Sequence, residues 1–359
     1  SEPLIPDIPG LRSFPGRVFH SSRWDHDHDL TGQRVAVVGT GASAVQFVPA
    51  IQPTVGSLHL YQRTAQWVLP KPDHPVPHLE RWALRQVPGA QKALRAFEYA
   101  AMEALGVGFR RPRVLKLVQR LGLAHLRRAV KDPALREALT PDYTLGCKRL
   151  LMSNDYYPAL TQPNVQVHAT AVREIHESTV IGADGSAHEV DAIIFGTGFH
   201  ILDMPLSSLV HDGRGRSLAD HWQGSPQAYL GTTVSDFPNL FLLLGPNLGT
   251  GHSSALMILE SQLAYLVDAL RHMRDENWTS IDVRREAQDA YNAEVQDALT
   301  GTVYNTGGCS SYYLDINGRN SFIWPWSTGR MRKRIRRFDP ADYDVRRPAT
   351  KVLLAPDFT

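Results

Sequence analysis

The most constraining feature of the chain is residues 33–44, Q-R-V-A-V-V-G-T-G-A-S-A. Val35, Ala36, Val37 and Val38 form a short apolar run that breaks at Gly39, and Ala44, Val45, Phe47 and Val48 then recur with helical period. This pattern predicts a strand over 34–39, a helix over 42–51 and a further strand over 57–61. Gly39 permits the tight turn, and Gly41 lets backbone approach a pyrophosphate. Ala44, small where such motifs often carry a third glycine, lets the helix pack on the strand. Thr40, Ala42 and Ser43 complete a loop whose free N–H groups would receive the phosphates. The stretch predicts an α/β chain with a dinucleotide site.

The residues after the second strand select the dinucleotide. A site for NAD wants a carboxylate there to bond the ribose 2′-hydroxyl, whereas this chain reads Tyr61-Gln62-Arg63-Thr64. Arg63 can grip a 2′-phosphate with its fork of donors while Thr64 adds a hydroxyl, so the expected coenzyme is NADPH. With 359 residues the chain has room for two domains, and a net charge of +2 favours neither a nucleic-acid binder nor an acidic tail. Cys147 and Cys309, far apart and outside any C-x-x-C, argue against a disulfide framework. No apolar run reaches the length of a membrane span and residues 1–9 lack signal-peptide character, which makes the cytoplasm the expected compartment.

Upstream of the glycine loop lies F-x-G-x-x-x-H-x-x-x-W-D, formed by Phe14, Gly16, His20, Trp24 and Asp25. This string resembles the fingerprint of Baeyer-Villiger monooxygenases, flavin enzymes that insert one oxygen atom of O2 beside a carbonyl through a C4a-peroxyflavin. Their nitrogen- and sulfur-oxygenating relatives usually end the string differently, and Trp24-Asp25 favours the Baeyer-Villiger branch. The resemblance implies FAD and NADPH as cofactors and a ketone or aldehyde as substrate. It also implies a fold made of a Rossmann-type NADPH-binding domain with a helical insertion, plus the C-terminal part of a split FAD-binding domain. The first Rossmann half of that FAD domain would precede residue 1. The alternatives are an N- or S-oxygenating relative and a non-catalytic NADPH-binding fragment.

On this reading residues 1–24 are a linker carrying the fingerprint, 25–195 the NADPH domain with an insertion over about 78–139, and 196–359 the FAD-domain remainder with a substrate-pocket segment. The prolines at 3, 6, 9 and 15 argue for extended chain. Asp25-His26-Asp27-His28-Asp29 reads as a solvated turn, and no metal is expected. In the insertion, Val114, Leu117, Val118, Leu121 and Ala124 share a helical face, read as the packed side of the insertion in preference to a membrane-surface stripe.

Lys148-Arg149 sits in a segment that resembles the family's G-x-K-R core, which implies that Lys148 helps hold the 2′-phosphate and Arg149 is the catalytic cation. After a strand at 164–168, a β-meander is expected over 171–195 with its last turn at 183–186. It runs into Gly196-Thr197-Gly198, similar to the family's return junction to the FAD domain with Gly196 for the usual Ala. Residues 237–245 read as a buried strand ending at Pro246-Asn247, with a helix from about 253 to 272 beyond; the resemblance lays that turn against the flavin. Tyr312 stands in the segment implied to line the substrate pocket, where the family has Trp. The basic run 330–337 reads as a solvated or acid-paired face and not as a nucleic-acid site. Oligomeric state and substrate identity have no sequence signal.

Overall fold

The computed structural model describes residues 2–348 except His74, and the chain divides into two compact units. The first comprises the stretch ending at Ala93, Arg111–Met204 and Gly307–Cys309; the second comprises Leu94–Arg110, Pro205–Thr306 and the stretch from Ser310.

The strands that organise the first unit are β1 (Arg17–His20), β2 (Arg34–Val38), β3 (Ser57–Tyr61), β4 (Val165–His168), β5 (Val172–His176), β6 (Thr179–Gly182), β7 (Ala187–Glu189) and β8 (Ala192–Phe195). A parallel sheet runs in the order β1-β8-β2-β3-β4, while β5, β6 and β7 form a separate antiparallel meander. The alternation along β2 decides its two faces. Val35 and Val37 pack with Leu58, Leu60 and Ile194 against Ala44, Val45 and Val48 of helix α1 (Ala42–Ile51), whereas Ala36 joins Tyr61, Ile193 and Phe195 against Val180 of the meander. Each Val, Leu or Ile so buried contributes about 1.5–3 kcal/mol, and coverage on both faces is what an all-parallel sheet requires.

The segment expected to be a linker supplies an edge strand. β1 pairs with β8 from Arg17↔Ala192 to His20↔Phe195. The expected strand over 188–195 is split, its first part closing the meander as β7 and its second entering the parallel sheet as β8. Arg34 fixes that junction, since its Nη2 and Nε donate to the two carboxylate oxygens of Asp191 at 2.7 and 3.2 Å.

Helices α2 (His78–Gln86), α3 (Ala90–Arg110), α4 (Pro112–Ala129) and α5 (Pro133–Ala138) fill the insertion, with Pro112 and Pro133 at first-turn positions where no N–H is needed. On α4 the expected packed face is reversed. Val114, Leu117 and Leu121 are 53%, 73% and 52% exposed, whereas Leu115, Gly122 and Leu126 are buried. Gly122 decides the orientation, because a Cβ there would lie 3.1 Å from both Trp67 and Leu69. No helix among the described residues is long and apolar enough to cross a membrane.

In the second unit, α6 (Ala255–Asp275) begins at a Ser254 cap and packs on α8 (Thr328–Ile335), with α7 (Arg285–Leu299) between them in the chain. Arg330 and Arg334 of the basic run ion-pair with Glu294 of α7 at 2.6 and 2.8 Å. The strand expected over 237–245 does not form. Asp236, Asn239 and Leu244 adopt positive φ and turn the chain repeatedly, and Leu243 and Leu244 are about half exposed. A second correction concerns the cysteines: Cys147 and Cys309, 162 residues apart in sequence, form a disulfide within the first unit.

Candidate cofactor site

The carboxyl ends of β2 and β8 meet at the point where the sheet order reverses, the usual ligand-binding position of an open α/β sheet. Gly39 has φ of 103°, and a Cβ there would lie 2.6 Å from the Gly196 carbonyl oxygen, so its glycine is required by the protein itself. Gly41 differs. A Cβ on it would meet only the Gly196 oxygen at 3.8 Å, so nothing in the protein explains its absence and the space is left for a ligand. α1 starts at Gly41 with no side-chain cap and no acidic residue in its first turn, leaving the N–H groups of residues 42–44 to an incoming anion. Ala44 is fully buried against the sheet, and a Cβ on Gly196 would be 3.3 Å from its methyl. Thr40 is buried, and its Oγ1 donates to the Thr64 carbonyl at 3.2 Å; this side chain braces the loop against the segment bearing Arg63.

Arg63 is exposed and Lys148 is half-buried, with its Nζ 5.1 Å above the Tyr143 ring. Burial, and then the Arg63 guanidinium, lower the Lys148 pKa, while Asp142 acts in the opposite sense. Among the described residues neither cation makes an ion pair. Two cations that oppose each other without an ion pair between them and any described carboxylate suit a multiply charged anion. Arg149 follows, exposed and likewise without an ion pair among the described residues. The disulfide at Cys147 anchors the backbone next to both.

The fingerprint residues are chiefly structural. Phe14 is buried in the core on the meander side of the sheet, and a Cβ on Gly16 would lie 2.2 Å from the Asp191 oxygen and 2.6 Å from the Phe14 ring. Trp24 packs edge-on to Phe19 and Phe47 at 5.1 and 5.4 Å, and Asp25 reaches Arg17 at 3.4 Å. His20, the last residue of β1, is the exception. Its Nδ1 lies 2.9 Å from the Ser22 hydroxyl and its Nε2 has no hydrogen-bond partner of good geometry; burial lowers its pKa, while the Gly198 backbone acts in the opposite sense. Thr197 donates to the Leu4 carbonyl at 2.5 Å, while Gly198, with φ of 88°, has open space where a Cβ would be.

In the second unit, Asn247 is buried and its Nδ2 donates to the carbonyls of Asn320 and Ile323 at 2.7 and 3.1 Å. Its amide holds the loop together. Tyr312 is 40% exposed and packs edge-on to Tyr313 and Phe322. Two surface clefts, one along Leu126, Arg127 and Arg136 and one at residues 7–13, contain none of the candidate residues. Sequence reasoning missed a group of three histidines, His59, His168 and His188, which the folding of the first unit brings together. Their spacing carries no motif.

Residues 2–77 match the family model described as Flavin-binding monooxygenase-like. A Baeyer-Villiger monooxygenase of Streptomyces coelicolor is 48% identical over 351 residues, covering 97% of this chain and 68% of that protein. One from Pseudomonas aeruginosa is 48% identical over 347 residues, covering 96% of this chain and 66% of the relative. Among solved structures, the cyclohexanone monooxygenase of Rhodococcus sp. Phi1 bound to NADP+ has the same fold, with a TM-score of 0.81 at 23% identity over 97% of this chain and 73% of that one. The chain thus spans about two thirds of the length of the relatives it matches.

Proposed function

The chain belongs to the Baeyer-Villiger monooxygenase family, and from that premise we propose that it carries the NADPH site and the oxygenation residues of an FAD- and NADPH-dependent enzyme that inserts one atom of O2 into a ketone or aldehyde. The observation that carries the coenzyme assignment is the pair Arg63 and Lys148, two cations close enough to oppose each other and without an ion pair among the described residues. The pyrophosphate is assigned to the backbone of Gly39, Thr40, Gly41, Ala42, Ser43 and Ala44, and the 2′-phosphate to Arg63, Thr64 and Lys148. For the flavin, the fit within the first unit rests on the open space at Gly198, with Gly196 and Thr197 contributing backbone, and Pro246 and Asn247 of the second unit are assigned to the flavin by the family resemblance alone. Bound FAD would supply a hydride acceptor for NADPH and the means of activating O2.

The role of Arg149 follows from its chemistry. Attack on a carbonyl leaves negative charge on its oxygen, and a guanidinium stabilises that charge while keeping its own proton. At about 4 Å and an effective dielectric near 20 the attraction is about 4 kcal/mol, roughly a thousandfold in rate. Tyr312 is assigned to the substrate pocket, where it replaces the bulkier Trp of the family.

The test begins with the purified chain and added FAD, read by visible flavin absorbance after gel filtration, and by NADP+ titration. In the chain completed with the FAD-binding half of a relative, Arg149→Ala should keep NADP+ affinity and lose roughly a thousandfold in ester formation. Near-parent ester formation in that variant would remove Arg149 from the chemistry, and failure to bind NADP+ would remove the coenzyme assignment.

A further inference from the structure

Three histidines, none of them given a role above, face one another between the sheet and the meander of the first unit. His59 lies in the middle of β3 and points to the same side as Tyr61; His168 ends β4 in register with Tyr61; His188 is the central residue of β7. His59 Nδ1 and His168 Nε2 are 3.2 Å apart, and one nitrogen from each of the three rings lies within 4.8 Å of the other two. His188 stacks on His59 and lies tilted against His168, with ring centroids at 4.4 and 4.5 Å, and its ring makes no hydrogen bond among the described residues. His59 is buried and hydrogen-bonds only to His168 at 3.2 Å, so the three rings gather donor nitrogens at one point that a ligand can share.

We infer that His59, His168 and His188 form a binding site for a divalent transition-metal cation of the zinc, nickel or copper class, bridging β3 and β4 of the sheet to β7 of the meander. Imidazole nitrogens bind zinc at about 2.0–2.1 Å, which in tetrahedral geometry separates two ligands by about 3.4 Å; the His59–His168 pair already has nearly that spacing. His188 is half-buried, and rotation about its side-chain torsions turns its edge toward the same point. The charged groups facing the cluster are Asp184, which acts on His168, and Arg34, which acts on His59 but is itself neutralised by Asp191 and Glu189. Three imidazoles leave a coordination position for water, and the bound ion would fasten the meander to the parallel sheet.

The experiment strips the full chain with chelator and titrates it with Zn2+ or Ni2+ alone, reading stoichiometry by equilibrium dialysis with elemental analysis and thermal midpoint by calorimetry. The expected result is one ion per chain with a raised midpoint, as binding to the folded state alone demands. His188→Phe keeps the ring stack and removes the ligand; it should fold with the metal-free midpoint unchanged and weaken metal binding by at least about tenfold. His176→Ala, in exposed β5, should leave binding intact, and NADP+ affinity should be the same with and without the ion. Absence of stoichiometric binding, equal binding in His188→Phe, or loss of binding in His176→Ala would each overturn the assignment.

Discussion

Replacing Arg63 with Ala should separate the two nicotinamide coenzymes without weakening the fold. A charge-assisted contact to a phosphate contributes about 1.5–3 kcal/mol, so NADPH affinity should fall by roughly 10- to 100-fold, while NADH, which lacks the 2′-phosphate, should change by less than about twofold. Lys148 adds a second, opposite signature. Its pKa is lowered first by burial and then by Arg63, so removing Arg63 takes away a repulsion and lets Lys148 hold its proton more firmly. The coenzyme-free variant should therefore be at least as stable as the parent in urea. Arg63→Lys should recover only part of the affinity, because an ammonium cannot reproduce the planar fork. Calorimetric titration with NADP+ and NAD+ at two salt concentrations measures all of this, and the NADP+ affinity of the parent should show the steeper salt dependence. An equal loss for both coenzymes, or a drop in urea midpoint, would refute the reasoning and make Arg63 a residue of the fold.

Gly16→Ala should destabilise the first unit by about 1–3 kcal/mol in chemical denaturation, because the added Cβ would sit 2.2 Å from a backbone oxygen that cannot move without disturbing Asp191 and its Arg34 clamp. On α4, Leu126→Ala should cost about 2–5 kcal/mol, whereas Leu117→Glu should leave the urea midpoint within about 0.5 kcal/mol of the parent. His59 makes stability depend on pH. Its folded pKa lies near 4 against an ordinary 6.5, so between those values the unfolded chain binds a proton that the folded one refuses. Stability is then complete above pH 6.5 and declines by roughly 2–3 kcal/mol as pH falls toward 4, a slope that His59→Leu should flatten in metal-free protein.

Much of the first unit is legible in sequence because its signals are local. The strand–glycine–helix unit of residues 34–51 appears where its residues put it, and the meander turn at Asp184–Ser186 carries its own side-chain bonds. Legibility ends where a decision belongs to distant partners. α4 has two apolar stripes of helical period, and only Trp67 and Leu69 packing on Gly122 decide that Leu115 and Leu126 face inward. β1 is four residues long and hemmed by Pro15 and Gly16, so nothing but its pairing with β8 marks it as a strand. At Asp236, Asn239 and Leu244, left-handed backbone breaks a run whose apolar composition alone would extend it. The disulfide joins residues 162 positions apart and the histidine group brings His59 to two others more than a hundred positions away, and no spacing rule reaches that far. At the cofactor site, the residue types pointed to the loop and the cations, but not to the bracing assignments of Thr40, Thr197 and Asn247, which depend on carbonyls elsewhere in the chain.

The path of the chain between its two units has a consequence for recombination. It changes unit at Ala93/Leu94, Arg110/Arg111, Met204/Pro205, Thr306/Gly307 and Cys309/Ser310. A chimera built with one breakpoint therefore cannot exchange either unit whole: a cut anywhere between 111 and 204 divides the first, and a cut between 205 and 306 divides the second. Segment 94–110 has to travel with 205–306, and the three residues ending at Cys309 have to travel with the stretch that carries Cys147, or the donor and recipient halves lose a shared bond. Homologues that trade coenzyme preference or substrate range by gene shuffling should accordingly do so through point substitution or paired breakpoints, and libraries of single-crossover hybrids should be depleted of folded members relative to libraries with paired breakpoints at those positions.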